Sequence, residues 1–226
     1  MKDLSTLEKK ISIIFKNKNL LKEALTHRSY LNENPNWGRH NERMEFLGDA
    51  VLELITTEYL YQKYPKAAEG ELTVFRAALI NYQMLAQVAQ EIDLEKYIFL
   101  SKGEAKDTGK ARESILANAF EALTAGIYLD RGYKIVQDFV GKFLLPHLDE
   151  IVEKQLYKDA KSLLQEIIQE KLKLTPAYKV LEESGPEHQK IFKVGVYFGG
   201  NLIAQSSGSS KQEAEINAAS QALSLI

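Results

Sequence analysis

The sequence predicts a two-domain protein, with an all-α N-terminal domain over about residues 1–150 and a C-terminal domain over 157–226 that runs helix, strand, strand, strand, helix. Three observations support this. The chain has 226 residues, enough for one large domain or two small ones. Apolar residues follow helical spacing through the first 150 residues. After about Tyr157 the spacing changes to alternation broken by glycines.

The N-terminal domain is predicted to be helical wherever apolar residues recur every three or four positions. Such segments are found at 20–25, about 40–63, 71–92, 111–130 and 134–149. Pro65 predicts the end of the second segment, because proline cannot continue a helix. The segment 134–149 is expected to be the last helix before a tether at about 150–158, and 101–110 (SKGEAKDTGK) is a polar loop.

In the C-terminal domain, helices are predicted over 159–172 and 209–225. Between them, strands are predicted at 177–183, 190–198 and 202–206. The second strand alternates, with Phe192, Val194, Val196 and Phe198 on one face. Gly199-Gly200-Asn201 is a hairpin signal between the last two strands.

Composition excludes several classes of protein. Apolar residues make up 45% of the chain, which is enough for a core, so the chain is not intrinsically disordered. There is no cysteine, which excludes disulfides, thiolate metal sites and cysteine nucleophiles. No apolar run approaches the roughly 20 residues of a membrane span, and the N-terminus lacks a secretory apolar region. We therefore expect a soluble, cytoplasmic protein with no membrane partner.

The segment His40–Leu52 (HNERMEFLGDAVL) contains a row of acids. Glu42, Glu45 and Asp49 fall within about 60° of one another on a helix. Like charges one turn apart repel each other, so the row is either a solvated face or a site that attracts cations.

A second acidic segment favours the site. Asn118 and Glu121 interrupt an otherwise apolar helix, ESILANAFEAL. A carboxylate buried without a partner costs several kcal/mol, which a cation would offset. Two such helical faces across a cleft would suit a hard cation such as Mg²⁺. The Glu-x-x-His and His-Glu-x-x-His patterns of di-iron and zinc sites are absent.

These segments resemble bacterial ribonuclease III. NERMEFLGDAVL is similar to the signature segment of that family, ALTHRSY (24–30) to the segment before it, and ESILANAFEALTAGIYLD (113–130) to its second acidic helix. The C-terminal order of elements resembles a double-stranded RNA-binding domain. The resemblance covers nearly the whole chain.

The resemblance implies a set of metal ligands and two accessory acids. The ligands would be Glu45, Asp49, Glu121 and Asn118, with Asp49 and Glu121 catalytic and with Mg²⁺, or Mn²⁺ in its place, as the cofactor. Many members of the family have aspartate at position 118, and the sequence does not distinguish a native asparagine from an introduced one. Glu42 and Glu69 match further acids of the family. The alternative for Glu42 is a solvated residue or a salt bridge to Arg43 or Arg39, and the alternative for Glu69 is an acid that only complements the dipole at the start of a helix.

The implied activity is hydrolysis of phosphodiester bonds in double-stranded RNA, leaving 5′-phosphate and 3′-hydroxyl ends during rRNA and mRNA processing. The metals would activate water, so no protein nucleophile is needed. His27 and His40 are accordingly expected to be hydrogen-bonding residues at helix ends. The family acts as a homodimer, and Phe46 matches a residue that inserts into the partner subunit, with core packing as its alternative.

In the C-terminal domain the resemblance implies that Gln165, Glu166, His188 and Lys211 contact RNA. This domain has as many lysines as acids and no arginine, and Gln212 and Glu215 stand where the family usually has basic residues. We therefore expect weak RNA affinity from this domain alone.

Two other functions remain open at this stage. Asn118 could mark a catalytically impaired protein that binds double-stranded RNA. A metal-storing or structural helical domain would explain the carboxylates but not the C-terminal domain.

Overall fold

In the computed structural model, residues 2–106, 108–155, 157, 160–186 and 189–226 are described. The chain forms two compact units, 1–157 and 158–226. In the described parts of the chain, no helix is both long and apolar enough to cross a membrane.

The first unit is helical, as predicted. Its helices are α1 (Leu4–Ile11), α2 (Lys18–Ala24), α3 (Arg28–Glu33), α4 (Glu42–Lys63), α5 (Glu69–Leu79), α6 (Tyr82–Glu91), α7 (Gly109–Arg131), α8 (Tyr133–Phe143) and α9 (His147–Glu153), with 3₁₀ turns at Leu94–Lys96 and Glu104–Lys106. The apolar face of α7 is almost completely buried and forms the centre of the core, with α4 packed along it. These two helices carry both acidic segments.

Two stretches predicted as continuous helix are broken. The 71–92 stretch divides because Asn81 caps α6, accepting a hydrogen bond from the Met84 amide at 2.9 Å. The 134–149 stretch divides into α8 and α9 because Pro146 has no N–H to continue the helical ladder. Helical periodicity persists across both breaks since each pair of helices buries the same kind of apolar face.

The second unit confirms the predicted order of elements. It consists of α10 (Ala160–Leu172), β1 (Ala177–Ser184), β2 (Ile191–Phe198), β3 (Asn201–Gly208) and α11 (Lys211–Leu223). The strands form an antiparallel sheet in the order β1-β2-β3. Val194, Val196 and Phe198 are buried, as the alternation predicts, and Phe192 is partly buried.

Candidate functional site

The acidic row of α4 lies along one side of the helix and differs in exposure from residue to residue. Glu45 is half-buried, whereas Glu42 and Asp49 are exposed. The carboxylate of Glu42 lies 3.4 Å from Arg28 and 3.8 Å from Nδ1 of His40. Glu42 therefore has a cationic neighbour, Arg28, and Glu45 lies deeper, beside α7.

Helix α7 approaches this row unusually closely, and Gly48 permits the approach. A Cβ atom on Gly48 would lie 1.8 Å from the backbone oxygen of Glu121, a distance that no side chain could accept. The glycine of the signature segment therefore brings the two acidic helices together. Asn118 and Glu121 are both partly buried on the face of α7 that meets α4. We call Glu45, Asp49, Asn118 and Glu121 the acidic cluster.

Burial and mutual repulsion raise the pKa values of two carboxyl groups in the acidic cluster. Burial, followed by the nearby charges of Asp49 and Glu45, raises the pKa of Glu121 to about 7. Burial and the charge of Glu42 also raise the pKa of Glu45, while a hydrogen bond from the Asn118 side chain opposes that rise. The cluster thus concentrates more negative charge than its surroundings stabilise.

The cluster borders a cleft of about 530 Å³. The residues that line this cleft are His27, Arg28, Asn41, Glu42, Glu45, Glu104, Ala111, Ser114, Ile115 and Asn118. Arg28 is the functional candidate that sequence reasoning missed. The segment ALTHRSY contains it, but nothing in the linear sequence indicated that its guanidinium would face an acid on α4.

The two histidines near the site have different environments. His27 caps α3, as expected, because its ring accepts a hydrogen bond from the Ser29 amide. Burial and the charge of Arg28 lower the pKa of His27. Nδ1 of His40, in contrast, is buried and has no hydrogen-bond partner among the described residues, although Glu42 lies nearby. The expectation of a hydrogen-bonded helix-end residue is therefore confirmed for His27 and not for Nδ1 of His40.

Within one chain, Glu69 lies away from the acidic cluster. It begins α5, accepts a hydrogen bond from the Thr73 hydroxyl at 3.0 Å, and lines a separate cavity with Tyr61 and Arg76. Among the described residues, no group of three His, Cys, Asp or Glu side chains lies close enough to hold a metal ion. The acidic cluster contributes three carboxylates and one amide from two helices. These side chains would have to move closer together to coordinate a cation.

An apolar stripe runs along α4 beside the acids. Phe46, Leu54 and Tyr61 are 82%, 57% and 73% exposed, and they fall within about 80° of one another on the helix. Phe46 lies about 60° from Asp49 around the same helix. Exposed apolar side chains grouped in this way are typical of an interaction surface. The alternative of core packing for Phe46 is therefore wrong within this chain.

The predicted RNA-contacting residues of the second unit are on its surface where they are described. Gln165 and Glu166 are exposed on α10. Lys211 begins α11 and pairs with Glu183 at 3.1 Å, and Glu183 also pairs with Lys190 at 2.9 Å. His188 lies outside the described residues.

Comparison with known proteins gives two family matches. Residues 17–148 match a model described as ribonuclease-III-like, and residues 160–226 match the double-stranded RNA binding motif. Curated relatives named Ribonuclease 3 include one from a Nitratiruptor species, 45% identical over 100% of this chain and 98% of the relative. Another, from Dehalococcoides mccartyi, is 43% identical over 99% of this chain and 94% of its own.

Solved structures of the nuclease domain of ribonuclease III from Campylobacter jejuni are also similar to this chain. One is 39% identical with a TM-score of 0.59, covering 65% of this chain and 97% of that chain. A second, also 39% identical, has a TM-score of 0.58, covers 64% of this chain and 99% of that chain, and is described as showing structural flexibility in the region involved in dimer formation.

Proposed function

The chain belongs to the ribonuclease III family, and on this premise we propose that the acidic cluster is the site at which it hydrolyses double-stranded RNA. The protein is an endoribonuclease with a C-terminal double-stranded RNA-binding domain. The proposed products carry 5′-phosphate and 3′-hydroxyl ends, and the proposed substrates are duplex regions of rRNA and mRNA precursors. The relatives do not indicate a catalytically impaired protein.

The observation that carries the site assignment is the close approach of α4 and α7 at Gly48, which places the partly buried Glu121 beside two other carboxylates. Burial and those charges raise the pKa of Glu121 to about 7. A carboxylate that the protein itself leaves under-stabilised is suited to binding a cation, which would offset both its burial and the repulsion. Ribonuclease III enzymes generally depend on metals. We propose Mg²⁺, with Mn²⁺ as a substitute, because the donors are carboxylate and amide oxygens.

The residues of the cluster have separable tasks in this proposal. Glu45, Asp49 and Glu121 would hold the cation from two helices. The amide oxygen of Asn118 would be a fourth ligand, and exposed Asp49 would face the solvent side from which RNA arrives. The Asn118 amide donates to Glu45 and so orients that carboxylate. A bound divalent cation would activate the attacking water and offset the charge that develops on the phosphate oxygens.

Two residues of the cleft would act on the RNA or the ligands indirectly. Arg28 is exposed at the rim and could exchange its weak contact with Glu42 for an RNA phosphate. Glu42 adds negative charge beside Glu45, which is the accessory acidic role the resemblance implies.

We propose a homodimer that forms through the apolar stripe of Phe46, Leu54 and Tyr61. A duplex has two strands and each chain has one acidic cluster, so a two-fold pair would present one cluster to each strand. The stripe is adjacent to Asp49, so pairing would place the interface beside the catalytic residues. Glu69 shares a cavity with Tyr61, so an interface at the stripe would lie next to Glu69 as well.

In the second unit, we propose that Gln165 and Glu166 read the minor groove and that Lys211 contacts phosphate, with His188 as a further contact. Gln165 and Glu166 are exposed on α10, whereas Leu164 and Ile168 on the same helix are buried. The exposed face of α10 is therefore the one that would enter a groove. Glu183 holds Lys211 in an ion pair, which agrees with the expectation of weak affinity. A cytoplasmic location remains a prediction.

The test is cleavage of a long RNA duplex with Mg²⁺ by Glu121→Gln. The variant keeps the shape of the side chain and loses one ligand charge, so we expect cleavage to fall at least about a hundredfold while duplex binding without divalent cations persists. The matched control is Glu53→Gln, since Glu53 is on the same helix as the acid row and pairs with Arg76 at 3.4 Å. Near-normal turnover by Glu121→Gln at low millimolar Mg²⁺ would overturn the assignment.

A further inference from the structure

A second cavity, of about 540 Å³, lies within the first unit and shares no lining residue with the catalytic cleft. The residues that define it are Lys2, Tyr30, Glu95, Phe99, Ala105 and Arg112, and we call it the cationic pocket. Its volume falls within the roughly 300–1,000 Å³ of small-molecule sites.

The strongest feature of the cationic pocket is an unsatisfied guanidinium. Nη1 of Arg112 is buried and has no hydrogen-bond partner among the described residues. Nη2 lies 3.8 Å from the Glu95 carboxylate, which is too long for a hydrogen bond. A buried charged donor without a partner is costly, so such a group calls for a partner such as a water molecule or a bound anion.

A second cation lies beside the first. Nζ of Lys2 donates to the backbone oxygen of Ile98 at 2.7 Å and lies 5.8 Å from the ring centre of Phe99. Burial and the charge of Arg112 lower the pKa of Lys2. The two cations thus repel one another across the pocket with one carboxylate, Glu95, beside them. An anion bound between them would remove this repulsion.

Two aromatic rings line part of the remaining, apolar wall, and they are fixed in place. The rings of Tyr30 and Phe99 have centroids 5.5 Å apart. The Phe99 backbone is held in position because its N–H donates to the Leu25 carbonyl at 2.8 Å and its carbonyl accepts from the His27 amide at 3.0 Å. The pocket therefore has a preformed surface for a flat, weakly polar group beside its cations.

We propose that the cationic pocket binds a nucleoside 5′-monophosphate group, with the phosphate on Arg112 and Lys2 and the base on the aromatic wall. Glu95 could accept a hydrogen bond from an amino or hydroxyl group of the nucleoside. The same chemistry could come from a free nucleotide or from a nucleotide of an RNA strand. This proposal stands on the pocket alone and does not depend on the function of the acidic cluster.

The experiment is calorimetric titration of the full chain with each nucleoside 5′-monophosphate and with inorganic phosphate, in a chelator so that no cation bridges phosphate to the acidic cluster. Arg112→Gln should weaken nucleotide binding about tenfold or more, because it removes a charge-assisted hydrogen bond. Ala105→Phe fills the pocket and keeps both cations, so it should weaken binding as strongly. Lys110→Gln is the control, since it removes one positive charge from the same helix and is exposed outside the pocket.

These titrations decide whether the cationic pocket binds a nucleotide, and whether that nucleotide is free or part of an RNA strand. Saturable binding that both pocket variants weaken, and that Lys110→Gln preserves, supports the site. If duplex RNA then displaces the nucleotide, the natural ligand is a nucleotide of an RNA strand. If the nucleotide stays bound in the presence of duplex RNA, the natural ligand is a free nucleotide. No binding by any nucleotide, or binding that neither pocket variant changes, would overturn the proposal. Should Arg112→Gln fail to fold, Ala105→Phe decides.

Discussion

Glu121→Gln should change how the stability of the metal-free protein depends on pH. The folded protein raises the pKa of Glu121 from an ordinary value of 4.5 to about 7, because of burial and the charges of Asp49 and Glu45. A carboxyl group whose pKa is raised by folding stabilises the folded state when protonated. That contribution is fully present below pH 4.5 and is lost as the pH rises through about 7. Glutamine is neutral at every pH, so the variant does not lose this stability as the pH rises.

The size of the effect follows from the difference between the two pKa values. Each pKa unit corresponds to about 1.4 kcal/mol, so the difference sets an upper bound of about 3 kcal/mol. Glu121 is only partly buried, and solvent screens part of the interaction. We therefore expect Glu121→Gln to be more stable than the unaltered protein by about 1–2 kcal/mol at pH 8, and by nearly nothing at pH 4.5.

Urea unfolding at several pH values, with and without Mg²⁺, measures this effect. In saturating Mg²⁺ the order should reverse, because the unaltered protein gains the binding free energy of the cation and the variant gains less. Glu71→Gln, which neutralises an exposed acid on α5, is the control and should show neither trend. Equal stability of Glu121→Gln and the unaltered protein across the pH range would refute the burial and repulsion on which the site assignment rests.

Four further variants test other parts of the molecule. Asn118→Asp adds a charge to the acidic cluster and removes the amide that hydrogen-bonds Glu45, so cleavage should require roughly 5–150-fold less Mg²⁺, and the metal-free melting temperature should fall; identical Mg²⁺ titrations would exclude position 118 as a ligand. Phe46→Ala should weaken dimerisation about tenfold or more in sedimentation equilibrium, and an unchanged dissociation constant would disprove the proposed interface. Gly48→Ala should lower the free energy of unfolding in urea by about 3 kcal/mol or more, whereas Gly70→Ala, with open space around it, should not; equal effects would contradict the close approach of α4 and α7. Glu183→Gln releases the lysine that begins α11, so duplex affinity should rise about twofold to fivefold with a steeper salt dependence; unchanged binding would show that this ion pair does not compete with RNA.

The sequence by itself determined the order of elements and the identity of the acidic segments. Helical and alternating periodicities follow from which face of each element is buried, so they located α4, α7 and the three strands. They did not locate the breaks at Asn81 and Pro146, because two helices that bury the same kind of face maintain one periodicity across a short turn.

Only the tertiary structure decided which side chains meet. The contact between Gly48 and the backbone of Glu121, the pairing of Arg28 with Glu42, and the ion pair of Lys211 with Glu183 all join residues that are far apart in the chain. The same holds for the buried, unpaired Nη1 atom of Arg112, which has no sequence signature. Local propensity and periodicity report the burial of one element at a time, whereas a site is a property of the distances between elements, and packing sets those distances.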